Sequence, residues 1–488
     1  MSTGPRYQAA LALHRFGLGP KSGTLPGSIA AVASDPRGAL LAELARPGAG
    51  LIVDGTLMTA AQAGMAAFNF REEQRAREIA RQGAEKAHAE SAGSTVKPAA
   101  PAEPAKPAKP AAETSTAAAK PSEPTVVQRI IGAEARARFA AARTAEIGFV
   151  ERLVWFWSNH LCVSSLGAAV MAGGYEREAI RPHVLGRFAD MLVASASHPA
   201  MLQYLDNARS IGPTSVAGLI VKVGLNENYA RELLELHTLG VRTGYTQEDV
   251  TNLAKILTGW TFIGPVVPGH GLEFVFSPRL HEPGAQVVLG KTYAEVGINQ
   301  GRAALADLAR HPVTARHVAT KLARHFVADD PPPALIGRLA RRFLDTDGDL
   351  KEIAKALVEA PETWETPPTK LKRPNEWLTA MRRALPDAPG NVKRGLQVRL
   401  NMGEPLWGVP APEGFPDVQA SWADGLAQRL DIAARTGERL ADSVDAMDLV
   451  ETTLGPLASA DTKRAVARAD SRAQAITIAL MAPEFHRR

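Results

Sequence analysis

Residues 226–240 hold the densest set of groups able to do chemistry: Asn226, Glu227, Asn228, Tyr229, Ala230, Arg231, Glu232, Leu233, Leu234, Glu235, Leu236, His237, Thr238, Leu239 and Gly240. A helix turns by about 100° per residue, so Glu227, Asn228, Arg231, Glu232 and Glu235 fall within roughly 140° of one another. Asn226 suits the N-cap, Glu227 the first turn, and Gly240 the position just past the end. One helix thus displays three carboxylates, an arginine and an amide on one side. Two readings remain open. The face is solvated and held by Glu227–Arg231 and Arg231–Glu235 pairs, or it turns inward as a polar site. In the second reading Glu232 and Glu235 could hold a divalent metal or serve as acid and base. His237 lies among the leucines and reads more simply as a core histidine.

Other candidates surround this helix in the sequence. Trp155, Phe156 and Trp157 bury a segment that continues through Ser158, Asn159 and His160. A buried histidine must find a partner, which can be purely structural. Cys162 follows His160 by two positions, so on a helix the two point apart and a Cys–His nucleophile is not expected. Asp206 and Asn207 end a helix, where such residues usually cap or turn, though they could equally supply ligands. His281 and Glu282 form a His/acid pair on a loop ahead of Pro283 and Gly284. Several motifs fail. Gly17-Leu18-Gly19-Pro20 lacks the third glycine and preceding strand of a dinucleotide fingerprint. Asp345-Thr346-Asp347-Gly348-Asp349 misplaces the glycine of a calcium loop and has Ala356 where its last acid belongs. Asp349 with Glu352 reads instead as a capping box.

The elements that position these groups are mainly α-helical. Aromatics are only 6% of the chain while alanine and leucine abound, which favours helix over sheet. Residues 56–90 read as helix. Residues 125–161 carry apolar positions at helical spacing, and 181–196 place Leu185, Phe188, Met191 and Leu192 on one face. Pro199 suits the first turn of a helix reaching Tyr204. Thr246 with Asp249 opens another through Leu257, and Pro312 opens one that turns Val318, Leu322 and Phe326 inward. Residues 260–293 alternate in short runs and predict a small β-hairpin insertion. Residues 91–124 are almost wholly Ala, Pro, Lys, Ser, Thr and Glu, which predicts a disordered linker. The expected fold is an irregular multi-helix core with that insertion and linker. Residues 1–90 form a helical arm packing on the core, and 125–488 form the main domain.

Composition excludes some classes. The net charge is +5 over 488 residues, with acids interleaved among the bases, so no basic stripe argues for nucleic acid. A single cysteine, Cys162, forbids an internal disulfide framework or a cysteine-rich zinc site. No window approaches the roughly 18 apolar residues of a membrane span. No signal peptide is visible, and the expected location is the cytoplasm.

The phrases just quoted resemble a known bacterial family, the domain of unknown function DUF1800. The likeness rests on His14-Arg15-Phe16-Gly17-Leu18-Gly19-Pro20, Trp157-Ser158-Asn159-His160, His198-Pro199-Ala200-Met201-Leu202 and Tyr204-Leu205-Asp206-Asn207. Above all it rests on 226–240 continuing through Gly244-Tyr245-Thr246-Gln247, with Leu257-Thr258-Gly259-Trp260 and His311-Pro312-Val313-Thr314-Ala315. The resemblance implies little chemistry, but it implies a neighbour: a sulfatase-like partner of the DUF1501 family. It also leads us to expect His-Asp-x-Gly-x-Lys in the β insertion, where this chain has His281, Glu282, Gly284 and Gln286. Gly403-Glu404-Pro405-Leu406 through Pro412-Glu413-Gly414-Phe415 and Trp422 resembles the family's C-terminal loop, with Phe415 where tryptophan is expected. A merely solvated face would need no fixed pattern, so the family phrase favours an inward polar site.

Two functions follow. One is a hydrolase-type enzyme acting on a polymer or carbohydrate-like substrate through Glu232, Glu235, His160 and Asp206, with Asn159, Asn207, Asn228, Arg231, His237 and His281 binding. The other is a non-catalytic assembly or binding protein working with the DUF1501-type partner.

Overall fold

Helix starts follow local rules. Thr125 caps Val126–Thr144 and Thr246 caps Gln247–Leu257, each in a reciprocal capping box. Pro199 and Pro312 occupy the first turns of Pro199–Tyr204 and Pro312–Phe326. The Asp349 carboxylate accepts the N–H groups of Lys351 and Glu352, opening Leu350–Glu359. A computed structural model describes residues 4–93, 123–164, 170–221, 224–264, 271–386 and 391–488, and in it the chain is mostly helical, as expected. The predicted linker lies, apart from its ends, outside the described residues. No described helix is long and apolar enough to cross a membrane.

Two differences have clear causes. The helical run at 125–161 is two helices, Val126–Thr144 and Phe149–His160, separated at Gly148. Gly148 is left-handed at φ 88°, and a Cβ there would come within 2.7 Å of Leu18. The Glu43 carboxylate then caps the second helix, accepting N–H bonds from Ile147, Gly148 and Val150 at 3.0–3.1 Å. Apolar spacing cannot reveal a cap supplied from a hundred residues away. The β insertion is two antiparallel hairpins: Trp260–Phe262 with Phe274–Phe276, and Gln286–Val288 with Lys291–Tyr293. Leu289 and Gly290 turn the second with φ of 50° and 74°. Leucine is a poor residue for that turn, so no Asn-Gly-like signal marks it.

The larger apolar core gathers residues from Ala9 to Trp364, Phe16 among them. The Phe16 ring lies 5.2 Å from Phe149, 6.3 Å from Phe326 and 5.6 Å from Trp364. A second core gathers Trp377, Ala433, Leu449, Ile476, Leu480 and Phe485. Buried charges bridge the two. The Glu376 carboxylate meets Arg152 at 3.1 Å and Arg488 at 2.8 Å. His325 Nδ1 donates to Asp417 at 2.8 Å, and Arg152 also donates to the Gly17 carbonyl at 2.9 Å. Arm, main core and C-terminal core thus share one ionic knot. A second knot centres on Glu176, which takes Arg138 and Arg181 at 2.9 Å, Ser158 at 2.9 Å and Trp407 Nε1 at 3.2 Å.

These buried groups set an acid limit. Burial, against the pull of Asp417, lowers His325 from 6.5 to about 4. The unfolded chain therefore binds more protons than the folded one between those values, and stability falls as pH drops through that window. Burial raises Glu376, but Arg152, Arg488 and His325 outweigh it and hold the carboxyl at about 2. Its contribution is present above 4.5 and is lost as pH falls towards about 2. The midpoint of urea unfolding should accordingly fall steadily from pH 7 to pH 4. A flat profile over that range would contradict the assignment.

Candidate functional site

Residues 226–240 form a helix with an internal widening. Asn228–Glu232 is α-helical and continues as a π-helix over Leu233–Thr238. Asn226 serves as a cap one position outside Glu227, its side chain accepting from the Asn228 N–H at 2.9 Å and donating to the Leu205 carbonyl at 2.9 Å. Within the wide turn the Leu239 N–H reaches back five residues to Leu234 at 2.9 Å. Such single wide turns add a residue and shift side chains around the axis. Tyr229, Leu233, Leu234 and His237 are buried, and the Tyr229 hydroxyl donates to the Ala196 carbonyl at 2.7 Å.

The polar side divides in two. Arg231 lies 3.9 Å from both Glu227 and Glu235. Gln247 accepts from Arg231 at 2.9 Å and donates to Glu227 at 2.7 Å, where Thr251 also donates. Glu235 accepts from the Tyr245 hydroxyl at 2.5 Å. This half matches the solvated, ion-paired reading. Glu232 has no hydrogen bond or ion pair among the described residues. Partial burial raises its pKa above the usual carboxylate value, and the negative charges of Glu235 and Glu413 add to the shift.

The other sequence candidates occupy several places. His160 is fully buried, stacked on Phe156 at 6.1 Å, with Nε2 3.1 Å from the His237 carbonyl. A carbonyl only accepts, so Nε2 carries the proton and Nδ1, which has no partner, keeps its lone pair. Burial first, then nearby Lys321, His317 and His237, lower the imidazole well below 6.5. His237 is lowered to about 3, chiefly by burial. Asp206 is exposed in a left-handed turn. Asn207 is buried and donates to the Leu257 and Trp260 carbonyls. Asn228 is exposed. His281 Nδ1 donates to the Thr258 carbonyl at 2.9 Å, while Glu282 accepts from Thr214. Asn159 clasps the 403–422 loop at both ends of its amide: Nδ2 donates to the Phe415 carbonyl at 3.0 Å, and the Phe415 N–H donates to Oδ1 at 2.8 Å. Gly414 permits that approach, since a Cβ there would lie 2.4 Å from the Asn159 carbonyl. Glu232, Glu235, His160 and Asp206 therefore do not converge on one pocket. Glu232 and Glu235 are neighbours, His160 lies inside the core, and Asp206 is turned to solvent.

Two features escaped the sequence reading. His317, Lys321 and His325 lie at successive four-residue steps on Pro312–Phe326, beside the apolar positions recognised there. His317 Nε2 sits 3.3 Å from the Leu236 carbonyl, and Lys321 makes no hydrogen bond or ion pair among the described residues. Their i, i+4, i+8 spacing is the signal that could have found them. The second is a cleft under the 403–415 loop, between the two ionic knots. Arg138, Ser158 and Trp407 border it from the Glu176 knot, and His325, Glu376 and Arg373 from the other side. Arg373 pairs with Glu404 at 2.5 Å. The same loop passes Cys162, whose thiol donates to the Pro412 carbonyl at 3.2 Å and is pushed by burial up to about 12, so it is no nucleophile.

Among the described residues no three His, Cys, Asp or Glu side chains converge as a metal site requires. The described residues form a mostly helical protein with two large apolar cores and a small third cluster, a paired polar helix and a loop-covered cleft. The chain belongs to the family described as protein of unknown function (DUF1800), whose model matches residues 11–487. No curated protein and no solved structure matches it.

The contrast between Glu232 and the clasping amide gives a stability test. Glu232→Gln should leave the thermal midpoint unchanged or slightly higher at pH 7, because it removes an unpaired charge with a raised pKa. Asn159→Ala should cost about 1–3 kcal/mol by orphaning two buried backbone groups. A large loss for Glu232→Gln, measured by calorimetry, would mean the residue has a structural partner.

Proposed function

We propose that the protein is a hydrolase-type enzyme acting on a polymer or carbohydrate-like substrate, with Glu232 as the group that exchanges a proton. One observation carries the reading. Among the described residues, Glu232 alone of the acids on this side of 226–240 lacks a partner, and partial burial and like charges weaken its acidity. A carboxyl whose acidity is weakened in this way gives up its proton less readily than its paired neighbours, which suits the general-acid role. It would give its proton to the leaving oxygen. A second acid would take the proton from the attacking water, and Glu413, exposed on the 403–415 loop and without a hydrogen bond or ion pair among the described residues, suits that role. Glu235 raises the pKa of Glu232 and is itself held by Tyr245 and Arg231.

A release assay on a panel of neutral glycans and polyesters tests this. Glu232→Gln should lower turnover by about 10²–10⁴-fold, whereas Asp206→Asn, in an exposed turn, should leave it nearly unchanged. The wild-type rate should fall as pH rises through the pKa of Glu232. Wild-type turnover in Glu232→Gln would reject the assignment.

A second reading, a binding protein for a DUF1501-type partner, is favoured by a different observation. Val216, Leu219 and Ile220 are 56%, 73% and 71% exposed on a hydrogen-bonded loop that Glu282 anchors through Thr214. Such apolar tips often mark contact surfaces. Co-purification that Leu219→Ser abolishes, without any turnover on the panel, would favour this reading over the first.

A further inference from the structure

The cleft under the 403–415 loop carries three features that point to a ligand. The first is a buried amide without a partner. Asn375 is 7% exposed, lines the cleft, and its Oδ1 has no hydrogen-bond donor. Its backbone N–H is already spent on Glu404 at 2.8 Å, and its side chain makes no hydrogen bond among the described residues. Leaving such a group unmade costs about 1–3 kcal/mol, and it leaves the Asn375 amide as a polar lining group without a partner among the described residues. Beside it, Arg373 Nε is also buried and has no hydrogen-bond partner among the described residues. The second feature is strain. Trp407 adopts φ 51°, which for a bulky residue costs roughly 1–2 kcal/mol. The strained backbone aims its indole into the cleft, where Nε1 bonds Glu176. The third is the wall. Trp155, Leu406, Val409 and Phe415 give an apolar lining around the polar spot.

The charges decide the ligand class. Arg138 is matched by Glu176, Arg373 by Glu404, and Glu376 by Arg152 and Arg488. His325 is neutral at physiological pH, since burial holds it near 4. No lining charge is left for an ionic ligand. What remains unspent is an amide, an N–H and apolar surface, which suits a neutral group bearing hydroxyls on a C–H framework. The cavity measures about 50 Å³, and a water needs at least about 10–15 Å³. It therefore takes a group of a few heavy atoms, such as one end of a sugar unit.

We propose that this cleft is a binding subsite for the end of a neutral sugar chain, with Asn375 as its hydrogen-bonding residue and Trp155 and Trp407 as its walls. This rests on the carbohydrate-like reading of the substrate given above. The loop that roofs the subsite also carries Glu413, so a chain seated here is held by the segment that faces Glu232.

Saturation-transfer NMR and titration of tryptophan fluorescence on the full chain test the subsite directly. The probes are cellobiose and N,N′-diacetylchitobiose, with acetate and inorganic phosphate as charged controls. A neutral disaccharide should bind, and both controls should fail to compete. Asn375→Ala should weaken binding at least tenfold with an unchanged far-UV spectrum, and Trp407→Gly, which relieves the backbone strain, should weaken it similarly. Glu232→Gln should bind as the wild type does, so that loss of the proton-exchange reading and loss of the subsite are told apart. Binding unaffected by Asn375→Ala, displacement by acetate or phosphate, or no binding of either disaccharide would overturn the proposal.

Discussion

The Glu376 carboxylate is the constraint on which this molecule is organised. It sits at the start of Pro374–Ala384, fully buried, and takes one arginine from the main core and one from the C-terminus. A buried charge missing either partner would cost several kcal/mol. Satisfying it therefore fixes the Phe149–His160 helix, the last residue of the chain and the 374–384 helix relative to one another. Arg152 extends the same constraint to the N-terminal arm through Gly17. Apolar packing fills the space on either side, but apolar contacts are non-directional. The directional ionic contacts set which element lies against which.

The cleft is a consequence of that arrangement. The 403–415 loop spans the space between the two ionic knots around Glu376 and Glu176. The loop is held by Asn159 at Phe415, by Glu176 at Trp407 and by Arg373 at Glu404. A segment gripped at three points can sustain a left-handed tryptophan that an unanchored loop would relax. The same grip brings Glu413 near enough to Glu232 for their charges to interact. Acid side and cleft are thus two faces of one positioned loop.

Much of this was legible in the sequence. The capping box at Thr246 acts over three residues, and proline at a helix start fixes its own φ, so 247–257 and 312–326 begin where local chemistry dictates. The two poles of 226–240 were legible as well, because Glu227–Arg231–Glu235 pairing depends only on spacing. The isolation of Glu232 was not, since it depends on the π-turn after it and on which distant side chains come near. The break at Gly148 depends on Glu43, the turn at Leu289 defies its residue type, and the cleft is built from 138, 155, 373 and 407. Contacts of that range come from the assembled charges and not from any periodicity. Asp206 and His160 were drawn into one site by their motifs, although a tight turn and the core account for where they sit.

The central claim is that one carboxyl of the polar helix is left free while its neighbours are paired. Carboxyl-selective ¹³C NMR titration of the full chain, with Glu232 assigned through Glu232→Gln, measures this without any substrate. The account predicts that the Glu232 resonance titrates above the usual glutamate midpoint of 4.5 and moves down towards it when Glu235 is neutralised by Glu235→Gln. A midpoint at or below 4.5, unmoved by that change, would show Glu232 to be an ordinary paired surface acid and would contradict the account.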